Sequence, residues 1–394
     1  VTPWLWVVGI GEDGWSGLSP AAQAVVQTAE TLAGGARNLA LVPGTQAERL
    51  VWTGLDGMVS ALQARRGRRV CVLASGEPLW FGVAASLKRF FSPDEMIVLP
   101  HPGAFSLAAA RLGWALQEVA CLSVHGRPLE SLALQLAPGA RLLILSRDGD
   151  SPAEVTALLR DHGYGASVVT VLEHLGGPAE RRLIAPRERC ADLNVIAVDC
   201  RADPGSRPLS RLSGLPDNAF IHDGQITKRE VRAVTLAALA PLPGELLWDI
   251  GAGCGSIAIE WMRAGGRAIA VEKTEAHGAM IATNAARLGV PGLRLVTATA
   301  PQGLDGLDGP PDAVFIGGGV SRAEVLARCW QALRPGGRLV ANVVTTEGEA
   351  ALMGWHAVHG GDMVRLAVTR LGLTGGFHGW RPLMPVTQYI GVKP

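Results

Sequence analysis

The run WDIGAGCGSIAIEW, residues 248–261, places a carboxylate, Asp249, directly ahead of three glycines at alternate positions, Gly251, Gly253 and Gly255. Alternate glycines after an apolar run let the backbone approach a ligand closely and let a helix start against the strand before it. Such a turn could serve a dinucleotide, a nucleoside triphosphate or a cofactor without phosphate. The spacing is G-x-G-x-G, with Ser256 where a dinucleotide fingerprint wants its last glycine. No G-x-x-x-x-G-K-[ST] occurs, which removes the triphosphate loop. Asp249 would repel a pyrophosphate at a helix N-terminus, but it suits the cationic amino group of S-adenosyl-L-methionine. Glu272 closes the next apolar run, RAIAVEK, and can accept both ribose hydroxyls of either NAD or S-adenosylmethionine. Ala252 and Cys254 fill the turn between the glycines, and Cys254 reads as a small filler, not a nucleophile.

Two later stretches extend this candidate site. Thr299 and Ala300 stand at the end of a third strand, where an adenine would lie. Gly317, Gly318 and Gly319 follow a fourth strand, at the edge where a reacting centre belongs, and leave open space for a bulky substrate. The first half of the chain offers three further Gly/Pro-rich loops. They hold Gly9 and Gly11; then Ser75, Gly76, Glu77 and Pro78; then the run PHPGAFS with Ser106. Loops of this kind present backbone donors and acceptors to a cleft with no long side chains in the way.

The elements that must hold these loops are α/β throughout. Apolar runs such as LWVVGI, RVCVLAS, RLLILS and LNVIAVDC alternate with Ala/Leu-rich helical stretches. The alternation resumes after residue 245 with ELLWDIG, RAIAVEK, LRLVTATA, AVFIGGG and GRLVANVVT. Between the two series lies RADPGSRPLS, residues 201–210, whose Pro/Gly/Ser content marks a linker. The expected domains are residues 1–205 and 206–394.

The bulk numbers narrow the function classes. Formal net charge is +1 over 394 residues, which gives no electrostatic footprint for nucleic acid. No apolar run reaches the ~20 residues of a membrane span, and the first residues lack the basic start of a signal peptide. Six cysteines occur with no C-x-x-C pair, the usage of a reduced, cytoplasmic protein with neither a disulfide framework nor a zinc site. His356 and His359 have no nearby third ligand, so no metal is expected.

The run GQITKREVR, residues 224–232, followed by LWDIGAGCGSIAIEW, VEK, ATAPQGL and FIGGG, resembles the decarboxylating precorrin methyltransferases of the cobalamin pathway over 215–394. That resemblance implies a Rossmann-like class I methyltransferase fold, with cofactor contacts at Thr227, Gly251 to Gly255, Glu272 and Ala300. The chain departs from it at Thr299, where relatives usually carry an acid. The three loops of the first half, followed by LGWALQEVACLSVHGR, resemble the tetrapyrrole methylase family over about residues 4–200. This resemblance implies a two-lobed fold that binds S-adenosylmethionine in the cleft between its lobes. Glu77 stands where that family often has Asp, and PHPGAFS keeps one serine of its usual pair.

Both families in one chain imply two S-adenosylmethionine sites, a tetrapyrrole substrate and a homo-oligomer. They imply methylation of precorrin-6B at carbons 5 and 15, with loss of carbon dioxide from the ring C acetate, to give precorrin-8. Lys228, Arg229 and Arg232 become candidate contacts for the substrate carboxylates, or else a solvated helical face. Two alternatives stay open: a class I C-methyltransferase on another tetrapyrrole with a non-catalytic N-terminal binding domain, and a NAD-dependent oxidoreductase, against which Asp249 and the missing last glycine argue.

Overall fold

A computed structural model describes residues 2–52 and 54–394. The chain divides into two compact units: residues 1–129 with 135–208, and residues 130–134 with 209–394.

The first unit holds two five-stranded sheets. Strands β1 (Leu5–Ile10), β2 (Thr31–Gly34), β3 (Glu48–Val51), β4 (Val70–Ser75) and β5 (Met96–Leu99) form an all-parallel sheet in the order β3-β2-β4-β1-β5. The neighbours β4, β1 and β5 run side by side, so their carboxyl ends, and the three Gly/Pro-rich loops that follow them, lie together. Strands β2 and β3 go beyond the sequence expectation; TLAG and ERLV are four residues each, too short for an alternation to show. The second sheet contains β6 (Val119–Ser123), β7 (Arg141–Leu145), β8 (Val168–Glu173), β9 (Arg181–Ile184) and β10 (Asn194–Asp199), in the order β6-β7-β10-β8-β9. Only β6 and β7 are parallel there. Helix Ala104–Leu112 packs Phe105, Ala108 and Ala109 against the apolar face of β7 and β10 and ends at Gly113 in the left-handed region.

The second unit is built on a seven-stranded sheet. Strands β11 (Leu246–Ile250), β12 (Arg267–Glu272), β13 (Arg294–Thr297), β14 (Ala313–Ile316), β15 (Arg338–Val343), β16 (Asp362–Leu366) and β19 (Val386–Val392) are ordered β13-β12-β11-β14-β15-β19-β16. Every pair is parallel except those made by β19. A separate hairpin, β17 (Thr369–Thr374) with β18 (Phe377–Pro382), lies between β16 and β19 in sequence. The order reverses between β11 and β14, and in open α/β sheets ligands bind at the carboxyl ends beside such a reversal. The helix Ser256–Arg263 follows β11, and its Ile257, Ala258 and Trp261 are buried beside Leu247 and Phe315.

Helix Arg229–Leu239 is fastened to the sheet by a buried polar set. Thr235 Oγ1 accepts from Asn342 Nδ2 at 2.8 Å and Gln388 Nε2 at 3.0 Å, and donates to the Val231 carbonyl at 2.8 Å. Polar groups removed from water are tolerated when paired in this way.

Candidate active sites

In the second unit the glycine turn is dictated by close approach. Gly251, Gly253 and Gly255 have φ of +71°, +58° and +80°, where a side chain is strained. A Cβ on Gly251 would lie 2.9 Å from the Gly318 nitrogen, and one on Gly255 would lie 3.2 Å from Ile281. Gly317 donates to the Ile250 carbonyl at 2.9 Å, which lays the Gly317–Gly319 loop on the turn. Packing, not only substrate space, therefore accounts for Gly317, whose Cβ would meet the Phe315 ring at 3.0 Å; Gly318 and Gly319 would meet only ordinary contacts. The loop before helix Arg229–Leu239 reaches the same turn, since the Gln225 carbonyl lies 3.7 Å from where a Gly253 Cβ would stand. Thr227 belongs to that loop and is half-buried. Ala252 lies in the turn, and Cys254 is buried with its thiol pushed up by burial, as a filler would be.

The carboxyls of the two acids beside the turn are shifted in opposite directions. Glu272 Oε2 accepts from Gly253 N at 2.9 Å, and Oε1 accepts from Lys273 N at 2.9 Å and Thr274 N at 3.2 Å. Burial alone would raise this carboxyl, but the Gly253 and Thr274 donors outweigh it and hold Glu272 below the ordinary carboxylate value. Glu272 is thus an ionised acceptor fixed beside the glycines. Asp249 is 1% exposed; its Oδ2 accepts from Ala258 N at 3.0 Å, while Oδ1 is buried without a partner among the described residues. Burial pushes the Asp249 carboxyl up to about 7, the Ala258 hydrogen bond opposes this, and the Glu272 charge adds to the rise. A buried carboxylate oxygen with no donor suits a ligand ammonium group, and the pair of acids suits a cofactor carrying a ribose and an amino group without phosphate.

Two side chains that sequence reasoning missed complete the turn. His277 bridges two carboxylates, with Nε2 3.1 Å from Asp223 and Nδ1 3.4 Å from Glu272. The Asp223 hydrogen bond raises its pKa, burial opposes, and Glu272 adds to the rise. Asn284 donates to the Cys254 carbonyl at 3.0 Å and exchanges bonds with Ile221 at 2.8 and 2.9 Å, tying the 221–228 loop to the turn. Both are on helix Glu275–Arg287, and no local motif marks them.

Two expectations need correction. Arg232 is not a carboxylate contact for substrate: its side chain is fully buried. Its Nε donates to Glu260 at 2.6 Å, its other nitrogens to Asp217 at 3.3 Å and to the carbonyls of Leu215 and Thr227, and its guanidinium lies 4.8 Å from the Phe220 ring centroid. It spaces i, i+3, i+4 and i+7 with Thr235, Leu236 and Leu239, so it sits on the buried stripe of its helix. Lys228 caps the start of that helix and donates one Nζ bond to the Gly224 carbonyl at 3.1 Å, which leaves two further donors, and Arg229 is exposed. Second, β13 stops at Thr297, so exposed Thr299 and half-buried Ala300 stand in the loop beyond it. The Ala300 carbonyl accepts from Arg322 at 3.2 Å, which links this loop to the one after β14.

In the first unit the three loops interlock through their glycines. A Cβ on Gly9 would fall 2.0 Å from the Gly76 carbonyl, one on Gly11 2.8 Å from His101 Nε2, and one on Gly76 2.8 Å from the Gly103 Cα. The backbone confirms the joint, with Gly76 N donating to the Ile10 carbonyl at 3.0 Å and His101 N to Gly76 at 3.3 Å. A cavity of about 1410 Å³ opens beside them, lined by Gly11, Ser75, Gly76, Glu77 and Ser106 among others. Gly9 lines a smaller adjoining cavity of about 380 Å³. Pro78 lines neither of these two, but its carbonyl accepts from Ala84 N at 3.0 Å and shapes the turn. Glu77 accepts from Leu79 N at 3.1 Å, closing its own turn. Ser75 Oγ accepts from Arg37 at 2.7 Å, and Arg37 also pairs with Glu12, which lies 3.5 Å from His174. Arg37, His125 and Arg127 line the large cavity and were not singled out from sequence. Among the described residues no cluster of three or more His, Cys, Asp or Glu could hold a metal.

Comparison with known proteins matches each half to a family. Residues 4–191 match the tetrapyrrole (corrin/porphyrin) methylases and residues 218–393 match the precorrin methyltransferase domain. A precorrin-6Y C(5,15)-methyltransferase [decarboxylating] of Sinorhizobium sp is 49% identical over 402 residues, covering 100% of this chain and 97% of its own. A cobalt-precorrin-7 C(5)-methyltransferase of Salmonella typhimurium is 30% identical over 178 residues, 45% of this chain and 88% of its own. A Saccharolobus solfataricus relative named for cobalt-precorrin-6B C(15)-methylation with decarboxylation is 34% identical over 143 residues, 34% of this chain and 72% of its own.

Proposed function

The chain belongs to the decarboxylating precorrin-6Y C(5,15)-methyltransferases, S-adenosylmethionine-dependent enzymes of cobalamin biosynthesis, and from that premise we propose how it divides the work. Residues 1–205 methylate carbon 5; residues 206–394 methylate carbon 15 and release carbon dioxide from the ring C acetate, converting precorrin-6B to precorrin-8. The existence of separate relatives named for the C(5) reaction and for the C(15) reaction with decarboxylation supports this split. Each unit then has its own S-adenosylmethionine site, and neither uses a metal.

The observation that carries the second site is the pair of acids at the glycine turn: an ionised Glu272 held by Gly253 N, and a buried Asp249 oxygen with no donor. Glu272 would hold the ribose hydroxyls, Asp249 the amino group, and Thr227, Ala252, Cys254, Thr299 and Ala300 the remaining edges. When bound, S-adenosylmethionine supplies an electrophilic methyl group. The protein's part is alignment and exclusion of water, since a reduced tetrapyrrole has carbon nucleophiles of its own. The Gly317–Gly319 loop would leave the reacting edge clear, and exposed Arg229, with Lys228 beside it, would pair substrate carboxylates. In the first unit Gly9, Gly11, Ser75, Gly76, Glu77, Pro78 and Ser106 would form the corresponding cofactor cradle.

The enzyme works in the cytoplasm as a homo-oligomer, with neither nucleic acid nor membrane as partner. No helix among the described residues is long and apolar enough to cross a membrane. The β17–β18 hairpin supports self-association: Leu371, Leu373 and Trp380, on one face of the hairpin, are 57%, 61% and 70% exposed, an apolar surface that water disfavours.

Incubating the full chain with precorrin-6B and S-adenosylmethionine and weighing the product by mass spectrometry tests the reading. Two methyl groups gained with one carbon dioxide lost is expected, and Glu272→Ala should reduce S-adenosylhomocysteine binding from two per chain to one. A single methyl from the intact chain would favour a non-catalytic first unit instead.

A further inference from the structure

The loop after β4 does more than complete a glycine cradle. Between Glu77 and Gly82 the chain makes a tight turn; a Cβ at Gly82 would fall 2.4 Å from the Pro78 carbonyl. The turn carries Trp80 and Phe81, which stay 42% and 40% exposed although both line the 1410 Å³ cavity. Phe81 is held at φ +55°, a region that bulky side chains rarely adopt and that is found where surroundings impose it, often at binding sites. Both rings rest on Phe105, from the helix after β5, with centroids 5.1 and 6.0 Å away. The Arg127 guanidinium, from the loop after β6, lies 5.0 Å from the Phe81 centroid. Arg127 makes no ion pair among the described residues, and neither does Arg89, also on the cavity wall. The result is an aromatic ledge with the unneutralised Arg127 guanidinium at its margin and Arg89 elsewhere on the same cavity wall.

We propose that Trp80 and Phe81, supported by Phe105, form the ledge on which the flat face of the tetrapyrrole lies in the first unit, with Arg127 pairing one of its peripheral carboxylates. The assignment rests on the division of labour proposed above and adds the residues that select the substrate. Ring chemistry favours this occupant. A conjugated, polycarboxylate macrocycle offers a π face to the aromatic side chains and anionic groups to the guanidinium groups. Volume agrees, because about 1410 Å³ exceeds the ~300–1,000 Å³ of a site for one drug-sized ligand and leaves room for a second, larger molecule beside a cofactor. The proposed cofactor cradle draws on the glycines, Ser75, Glu77, Pro78 and Ser106, and none of the three rings of the ledge belongs to it.

The test follows the C5 methyl resonance formed from [13C-methyl]-S-adenosylmethionine as precorrin-6B is varied, using the full chain. Trp80→Ala is expected to raise KM for C5 methylation about tenfold, the scale on which loss of one aromatic stacking partner weakens binding of a flat ring. S-adenosylhomocysteine affinity should stay at the wild-type value, which also reports that the variant is folded, and Trp80→Phe should restore most of the loss. Arg127→Gln should raise the same KM, with the difference from wild type shrinking at high salt. Unchanged KM in Trp80→Ala would overturn the ledge, as would a parallel fall in S-adenosylhomocysteine affinity, which would assign the aromatics to the cofactor. A wild-type chain that never yields a C5 methyl would instead overturn the division of labour on which the ledge depends.

Discussion

Replacing Asp249 with Asn separates the proposed ammonium contact from every other feature of the glycine turn. In the ligand-free chain this carboxyl has a pKa of about 7. It is therefore about nine-tenths protonated at pH 6 and about nine-tenths ionised at pH 8. Only the ionised form attracts an ammonium group, so affinity for S-adenosylhomocysteine at the second unit should rise about tenfold between those two pH values, roughly 1.4 kcal/mol. Near pH 7 binding should release about half a proton, because the ligand selects the ionised state. Calorimetric titration in two buffers of different ionisation enthalpy reads both quantities. Asp249→Asn should flatten this pH dependence while leaving the first unit's site as it was. The reasoning fails if the wild type shows no slope, or if the Asn variant keeps it. Folding should respond with the opposite sign. An unfolded Asp titrates near 3.9, so the group's contribution to stability is full below that pH and is lost as pH rises through about 7. Asp249→Asn should remove this term from thermal unfolding curves recorded between pH 5 and 8.

Two further outcomes follow from packing. Arg232→Met would leave Glu260 buried with its main partner gone, and removal of one member of such a pair typically costs about 3–5 kcal/mol; a fall in Tm with unchanged KM for the tetrapyrrole is expected. Gly251→Ala forces a Cβ to within 2.9 Å of the Gly318 nitrogen at a φ of +71°, so S-adenosylhomocysteine binding should drop at the second unit alone, and equilibrium binding stoichiometry would reveal it.

The sequence was most informative where function is written in backbone. Strand ends followed by alternate glycines announce themselves locally, and β11, the helix Ser256–Arg263 and Glu272 at the end of β12 lie where periodicity and spacing put them. Side chains that act across the fold were harder to read. His277 matters because Asp223, 54 residues earlier, comes to meet it, and no residue type announces such an encounter. The ledge of Trp80, Phe81 and Phe105 likewise joins two loops that only the parallel order β4-β1-β5 brings together. Arg232 could have been read differently. Its spacing with Thr235, Leu236 and Leu239 marks the buried stripe, but its charge and its place in a basic run suggested an outward role. The short strands β2 and β3 escaped notice because four residues do not establish a period.

The buried charge cluster around Arg232 also decides where the second half can be severed from the first. Glu260 accepts from Gly214 N at 2.6 Å and Leu215 N at 3.0 Å as well as from Arg232, and Arg232 in turn leans on the Leu215 carbonyl and Asp217. A fragment starting at residue 218, where the precorrin methyltransferase match begins, would keep the whole seven-stranded sheet yet strip away those four groups. It would retain one carboxylate and one guanidinium facing each other with four of their six hydrogen bonds missing. A piece beginning at residue 206 keeps the cluster whole. The shortest autonomous second half is thus longer than its recognisable family signature, and the few residues of tail ahead of that signature form part of its foundation.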